Sequence, residues 1–296
     1  MNRADGLSLG KFGIYTFDFE RQPAALMRES VAALEEQGWR ALWFPEVGGR
    51  EALTQAAFLL SCTERMQIVN GIAQISARGP QQAYGGGLLL ADAYPGRHVL
   101  GLGVGRSRPG VKPVTAMAEF LDELDALQSS SAAPAPQVPM RRILAAYGPR
   151  MLELARDRPV GAHTYHVTVP HTAQAREILG PDTFLGVEHA VLLETDPDRA
   201  RATARRHLSV YLDPGSTYNL AKFRRMGYSE ADLSHGGSDR LVDDLVLWGR
   251  PDSIADRLRA HLEAGADHVA VQVIGTEPGQ TAMPYWRELA DMLLRG

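Results

Sequence analysis

Four short clusters in this 296-residue chain carry side chains or bare backbone with chemical potential. Pro45-Glu46-Val47-Gly48-Gly49-Arg50-Glu51 sets a carboxylate directly after an apolar run. Glu46 there could move a proton or orient a substrate; it could equally pair with Arg50 or cap the following helix. Gly101-Leu102-Gly103-Val104-Gly105-Arg106 closes a second apolar run. Its glycines let backbone approach a phosphate or a planar ring, with Arg106 to neutralise charge, or they only ease a tight corner. The spacing departs from G-x-G-x-x-G, because Arg106 stands where the third glycine belongs. In Tyr147-Gly148-Pro149-Arg150-Met151 a proline opens a helix, leaving free N–H groups that suit an anion beside Arg150, or simply a turn. In Val69-Asn70-Gly71-Ile72-Ala73 a glycine interrupts a strand pattern, the mark of a bulge or of close approach to a ligand.

The remaining candidates are weaker. Period-two alternation sends His163 and Tyr165 to one side of a strand and His166 to the other, so one of those faces is packing. His98 starts its strand and belongs to the opposite, structural end. No histidines and carboxylates fall at compact metal-ligand spacing, so no metal is expected. There is no G-x-S-x-G elbow, and Cys62 falls within a helical pattern as inert packing.

The elements that must position these groups alternate along the whole chain. Strand patterns occur at 11–17, 40–45, 66–73, 98–104, 141–147, 160–169, 186–194 and 268–274. Helical patterns separate them at 24–38, 50–64, 80–93, 114–128, 149–157, 171–179, 197–210, 239–247 and 252–264, with a last one at 284–294. Strands alternating with helices imply parallel pairing, and nearly continuous apolar runs such as HVLGLGV suit strands buried on both faces. Eight such units fit a (β/α)8 barrel in one 1–296 domain, with a doubly wound open sheet as the alternative. Two segments fall outside the count: a Ser/Ala/Pro surface loop at 128–139, and a long insertion at 211–238 that reads as a lid or interaction surface before the eighth strand.

Composition removes several classes. Lysine plus arginine is 31 against 35 acidic residues, a net charge of −4 with no like-charge run, so neither nucleic acid nor a charged tail is indicated. Only Lys11, Lys112 and Lys222 are lysines, a bias that reads as GC-rich bacterial coding rather than function. One cysteine rules out an intrachain disulfide. No signal peptide and no apolar run of spanning length is present, so a cytoplasmic protein without membrane contact is expected.

Taken in order, four stretches resemble one family: EEQGWRALWFPE, NGIAQISARGPQQAYGGGLLLADAYPGRHVLGLGVG, RRILAAYGPRMLELARDRPVGAH and WGRPDSIADRLRAHLEAGADHVAVQVI. The chain resembles the luciferase-like monooxygenase superfamily, in particular its deazaflavin-dependent oxidoreductase branch. That resemblance implies a (β/α)8 barrel with coenzyme F-420 across the C-terminal mouth. The reaction would be hydride transfer to or from a small alcohol, imine or activated C=C. A barrel using reduced FMN and oxygen as a monooxygenase, and a catalytically silent binding relative, are the alternatives. It further implies that a bulge at Gly71 and Ile72, where the family often carries a non-prolyl cis peptide, supports the ring, so that a side chain at 71 would press on the ring. Gly103, Val104, Gly105 and Arg106, with Tyr147, Gly148, Pro149, Arg150 and Met151, would hold the ribityl chain and phosphate. Glu46, His163 and Tyr165 would do the chemistry, with Phe17, Asp18 and Arg50 on the substrate side. Deazaflavin users often place a histidine after that acidic residue; here Val47 stands instead. A homodimer is expected, with small residues Ala52, Ala56 and Ala57 beside Phe58 on one helix and Ala83, Gly86 and Gly87 on the next in helix contact.

Overall fold

The computed structural model describes residues 7–105, 110–158, 160–276 and 280–295. Eight parallel strands close a barrel: β1 Phe12–Tyr15, β2 Ala41–Phe44, β3 Gln67–Asn70, β4 His98–Gly103, β5 Arg141–Ala145, β6 Gly161–Thr164, β7 Leu185–Leu192 and β8 His268–Val273. Each pairs with the next, and β8 returns to β1 with Val269 opposite Phe12. The open-sheet alternative is thereby excluded, and the (β/α)8 barrel stands. Because helices cover the outside, most strand residues are buried, which is why the strands read as apolar runs.

The helices are α1 Ala24–Glu36, α2 Ala52–Ser61, α3 Pro80–Ala93, α4 Pro113–Ser130, α5 Pro149–Asp157, α6 Val169–Leu179, α7 Pro197–Leu212, α8 Thr217–Arg225, α9 Glu230–Leu233, α10 Asp239–Leu245, α11 Pro251–Glu263 and α12 Met283–Leu293. Proline sits in the first turn of seven of them, where a missing N–H costs nothing. Element ends shift by a few residues throughout, the sixth strand most, from 160–169 to Gly161–Thr164, and three further differences bear on the reading. Helix α4 runs on through Ser130, so the irregular exposed segment starts at 131 rather than 128. Residues 246–248 leave the helical pattern to pair with β7 outside the barrel. Cys62 lies at the C-cap of α2, not within it.

The 211–238 insertion is not a bare loop. Tyr211 belongs to the last turn of α7, and α8 and α9 follow, the latter started by a Ser229–Asp232 capping box. Phe223, Tyr228 and Leu233 bury themselves with Leu208, Leu212 and Leu241 in a separate apolar cluster against α7 and α10. Several small residues expected at a dimer contact are spent inside the chain. Ala52, Ala56, Ala83 and Gly87 are buried, and a Cβ at Gly86 would meet Leu53 of α2.

The expected bulge in the third strand is present. Val69 pairs with Val99, and the next pair is Ala73 with Leu102, so one strand takes four steps where its neighbour takes three. The Gly71–Ile72 peptide within the bulge is cis.

Candidate active site

The carboxyl ends of β1 to β6 open into a cavity of about 460 Å³, roofed by the last turn of α7 and the first turn of α8. A parallel barrel presents its strand ends on one face, so residues far apart in the chain converge there. Phe17, Glu46, Gly71, Ile72, Gly103, Val104, Gly105, Tyr147, Met151, His163 and Tyr165 all line it, as the sequence led one to expect. Gly148, Pro149 and Arg150 lie just outside its wall, where the Met151 and Leu152 N–H groups return to the Gly148 carbonyl. Arg106 lies outside the described residues.

Two of the three substrate-side expectations are corrected. Asp18 lies in a short 3-10 turn off the cavity wall, and burial raises its pKa. Arg50 donates to the Gln22 carbonyl at 2.5 Å and faces a neighbouring groove, while Glu20 holds its loop through the Gly49 and Arg50 N–H groups. Of the three, Phe17 alone reaches the cavity.

Glu46 lines the cavity but is heavily engaged. Arg78 donates to both of its carboxylate oxygens, one at 2.8 Å, and the Gln74 N–H donates to Oε2 at 2.7 Å. The partner is therefore Arg78, not Arg50, and the cap of α2 is Glu51, which accepts from Leu53 and Thr54. Glu46 also donates its own backbone N–H to the Ile72 carbonyl at 3.1 Å. The Gly71 N–H donates to the Phe44 carbonyl at 2.7 Å, and the Tyr15 hydroxyl donates to the Gly71 carbonyl. The bulge is thus tied on three sides before any ligand arrives.

The fourth-strand glycines answer to that bulge. A Cβ at Gly101 would overlap the Asn70 carbonyl, one at Gly103 the Ile72 side chain, and one at Gly105 the Gln74 side chain. Both readings of the cluster hold in part: the glycines make room for the third strand, and Gly103 and Gly105 also line the cavity.

On the opposite wall His163 is sandwiched, its ring 4.6 Å from Trp43 and 6.0 Å from Tyr15. Neither of its nitrogens has a hydrogen-bond partner of ordinary geometry, and burial, reinforced by His268, drives its pKa down to about 3. It is a neutral imidazole. Tyr165 donates its hydroxyl to Gln272 at 3.0 Å and sits 2.8 Å from the Tyr211 hydroxyl. Burial raises the pKa of Tyr15, Tyr147 and Tyr165, and of Tyr211 to about 12, so these phenols stay protonated. His98 is structural, as expected, facing Asn70 Oδ1 at 3.0 Å.

Sequence reasoning missed Tyr15, Gln74, Tyr211, Tyr218 and Asn219, all of which line the cavity. Tyr15 was within reach, because strand alternation places it on the same side as Phe17. The other tyrosines come from α7 and the insertion, where no pattern marks them.

A model of the family described as luciferase-like monooxygenase matches residues 11–268. A Mycobacterium tuberculosis (strain H37Rv) protein, provisionally named a coenzyme F-420-dependent oxidoreductase, is 25% identical over 90% of this chain and 94% of its own length. The coenzyme F-420-dependent tetrahydromethanopterin reductase of Methanopyrus kandleri superposes with a TM-score of 0.71 at 15% identity, over 96% of this chain and 98% of that one. The oxygenating constituent of 3,6-diketocamphane monooxygenase from Pseudomonas putida, solved with FMN, gives 0.71 at 13% identity over 95% of each chain. With the closed barrel, the third-strand bulge and a match across most of its length, the chain belongs to the luciferase-like monooxygenase family.

Proposed function

We propose that this protein is an oxidoreductase that moves a hydride between coenzyme F-420 and a small uncharged organic substrate, an alcohol, imine or activated C=C. The observation that carries the reading is the cavity over the Gly71–Ile72 bulge. One wall is backbone already tied within the chain, and the other is neutral phenols and a neutral imidazole. Among the described residues that line it, Glu46 alone is charged, and Arg78 neutralises it. A wall of that kind favours an uncharged guest, since a buried charge without a partner is costly. The M. tuberculosis relative supports the deazaflavin over FMN.

The residues fit a planar ring system. The volume lies in the range of small-molecule sites, and the bulge backbone with Gly103, Val104 and Gly105 makes a firm bed. Tyr147 and Met151 flank it, and the Gly148–Arg150 turn at the start of α5 would take a phosphate. A bound deazaflavin supplies the hydride at its ring carbon, whereas reduced FMN would also react with oxygen. Glu46 positions the bulge. His163 and Tyr165 face the substrate, the imidazole or the phenol oxygen accepting a hydrogen bond there, and Tyr165 donating one only once its hydroxyl turns from Gln272. We further take the protein to act as a cytoplasmic homodimer; among the described residues no helix is long and apolar enough to cross a membrane.

Titration of the purified protein with coenzyme F-420 and with FMN, followed by cofactor absorbance and fluorescence, tests this. Micromolar or tighter binding of coenzyme F-420 with weak binding of FMN is expected. The reverse order makes the protein an oxygen-using monooxygenase of the kind its FMN-bound structural neighbour is named for. Binding of neither leaves a silent relative.

A further inference from the structure

One of the chain's three lysines, Lys222, is 1% exposed, which is rare for a lysine. It stands on α8, and its Nζ donates to the Tyr165 carbonyl at 2.8 Å, at the carboxyl end of β6. The same Nζ lies 4.8 Å from the Tyr147 ring and 4.7 Å from that of Phe223. Tyr218 and Asn219, four and three residues earlier, line the cavity. Positions so spaced share one helix face, so the buried amine and the cavity wall move as one body. Across from Lys222 on β7, Glu188 is fully buried. Its Oε2 accepts from the His166 N–H at 3.0 Å, while Oε1 has no partner.

We propose that Lys222 is a positioning residue: it pins the inserted helix α8 to the barrel through the Tyr165 carbonyl and the Tyr147 ring, holding Tyr218 and Asn219 over the cavity. The inference does not depend on which cofactor the cavity takes. Burial holds the Glu188 carboxyl up at about 8, so it is neutral where Lys222 is charged, and the pin rests on the Tyr165 carbonyl and the Tyr147 ring. The groups that face Lys222 are Glu188 from β7, Tyr165 and His166 from the end of β6, Tyr147 from β5, His171 from α6 and Arg225 from α8 itself, with His207 of α7 behind His166. Burial, against the opposing pull of Glu188, lowers the Lys222 pKa to about 7, while His166 and His171 stay neutral. Deprotonation removes the cation from the Tyr147 face and weakens the pin.

Hydrogen–deuterium exchange of the whole protein, corrected for the intrinsic pH dependence of exchange, tests this on peptides spanning 213–228. In the parent, exchange there should quicken severalfold from pH 6 to pH 9, while β2 and β3 peptides stay fixed. Lys222→Met should exchange at least tenfold faster at pH 6 and lose the pH dependence. It should also weaken binding of coenzyme F-420 or FMN, whichever the parent takes. Glu188→Gln mimics the protonated acid and should keep both the parent's exchange at pH 6 and its pH dependence. Circular dichroism checks folding; if Lys222→Met does not fold, the pH dependence of the parent and its retention in Glu188→Gln carry the test. An unchanged 213–228 exchange in Lys222→Met, or loss of the pH dependence in Glu188→Gln, overturns the proposal.

Discussion

The Tyr15 hydroxyl donates to the Gly71 carbonyl, and the edge of the same ring lies 2.8 Å from where a Cβ at position 71 would stand. A side chain at 71 therefore meets Tyr15 first and Trp43 next, in the barrel interior, rather than a ligand in the cavity. Gly71→Ala should destabilise by about 1–3 kcal/mol through overpacking, and Gly71→Val by more. Tyr15→Phe, which strands the carbonyl, should cost about 1–3 kcal/mol. Urea denaturation reads all three, and parental stability in Gly71→Ala would show that the Tyr15 ring can yield.

Arg78 and Glu46 form a buried pair whose side chains are 6% and 8% exposed. A double-mutant cycle of Glu46→Gln and Arg78→Gln should give a coupling of about 1–3 kcal/mol. Glu46→Gln combined with Arg50→Ala should be additive within about 0.5 kcal/mol, because those two share no hydrogen bond. Coupling to Arg50 in place of Arg78 would contradict the observed network.

Eight histidines are held neutral by burial: His98 and His163 at about 3, His207, His261 and His268 at about 4, and His166, His171 and His189 also below their ordinary value. Unfolded, each protonates near about 6.5. The unfolded chain then binds more protons between about pH 3 and 6.5, so stability rises with pH through that window and is lost on acidification. Glu188, raised to about 8, and Asp18 and Glu20, raised by burial, work in the opposite sense above their unfolded values, three groups against eight. Urea midpoints from pH 7.5 down to 4 should fall steadily, and His163→Phe should flatten the slope by about one proton's share. An unchanged slope in that variant would place a proton on His163 in the folded state.

Leu89 is 66% exposed on α3, beside the half-buried Gly86. If α2 and α3 meet a second copy, sedimentation at micromolar concentration should show a dimer that Leu89→Glu dissociates. A monomeric parent would end that expectation.

The barrel was readable because each strand and helix keeps its own period, and the Gly71 interruption marked a real one-residue bulge. The direction in which Gly71 points was not readable, since it depends on Tyr15, 56 positions away. Glu46 was rightly placed at the mouth, yet its partner Arg78 comes from the next βα unit, which spacing along the chain does not reveal. Tyr211, Tyr218 and Asn219 reach the cavity from α7 and an insertion whose own packing on Leu208 and Leu241 fixes where they land. Long-range contacts of that kind leave no local pattern.

The fit between Gly101 and the Asn70 carbonyl bears on how this scaffold can be engineered. A chimera that imports another barrel's fourth strand, with a side chain at 101, without its third would set that side chain on the Asn70 carbonyl. The two strands form one cassette, to be exchanged whole or left in place. Within it, position 101 is closed to every residue but glycine, whatever activity the new mouth is meant to carry.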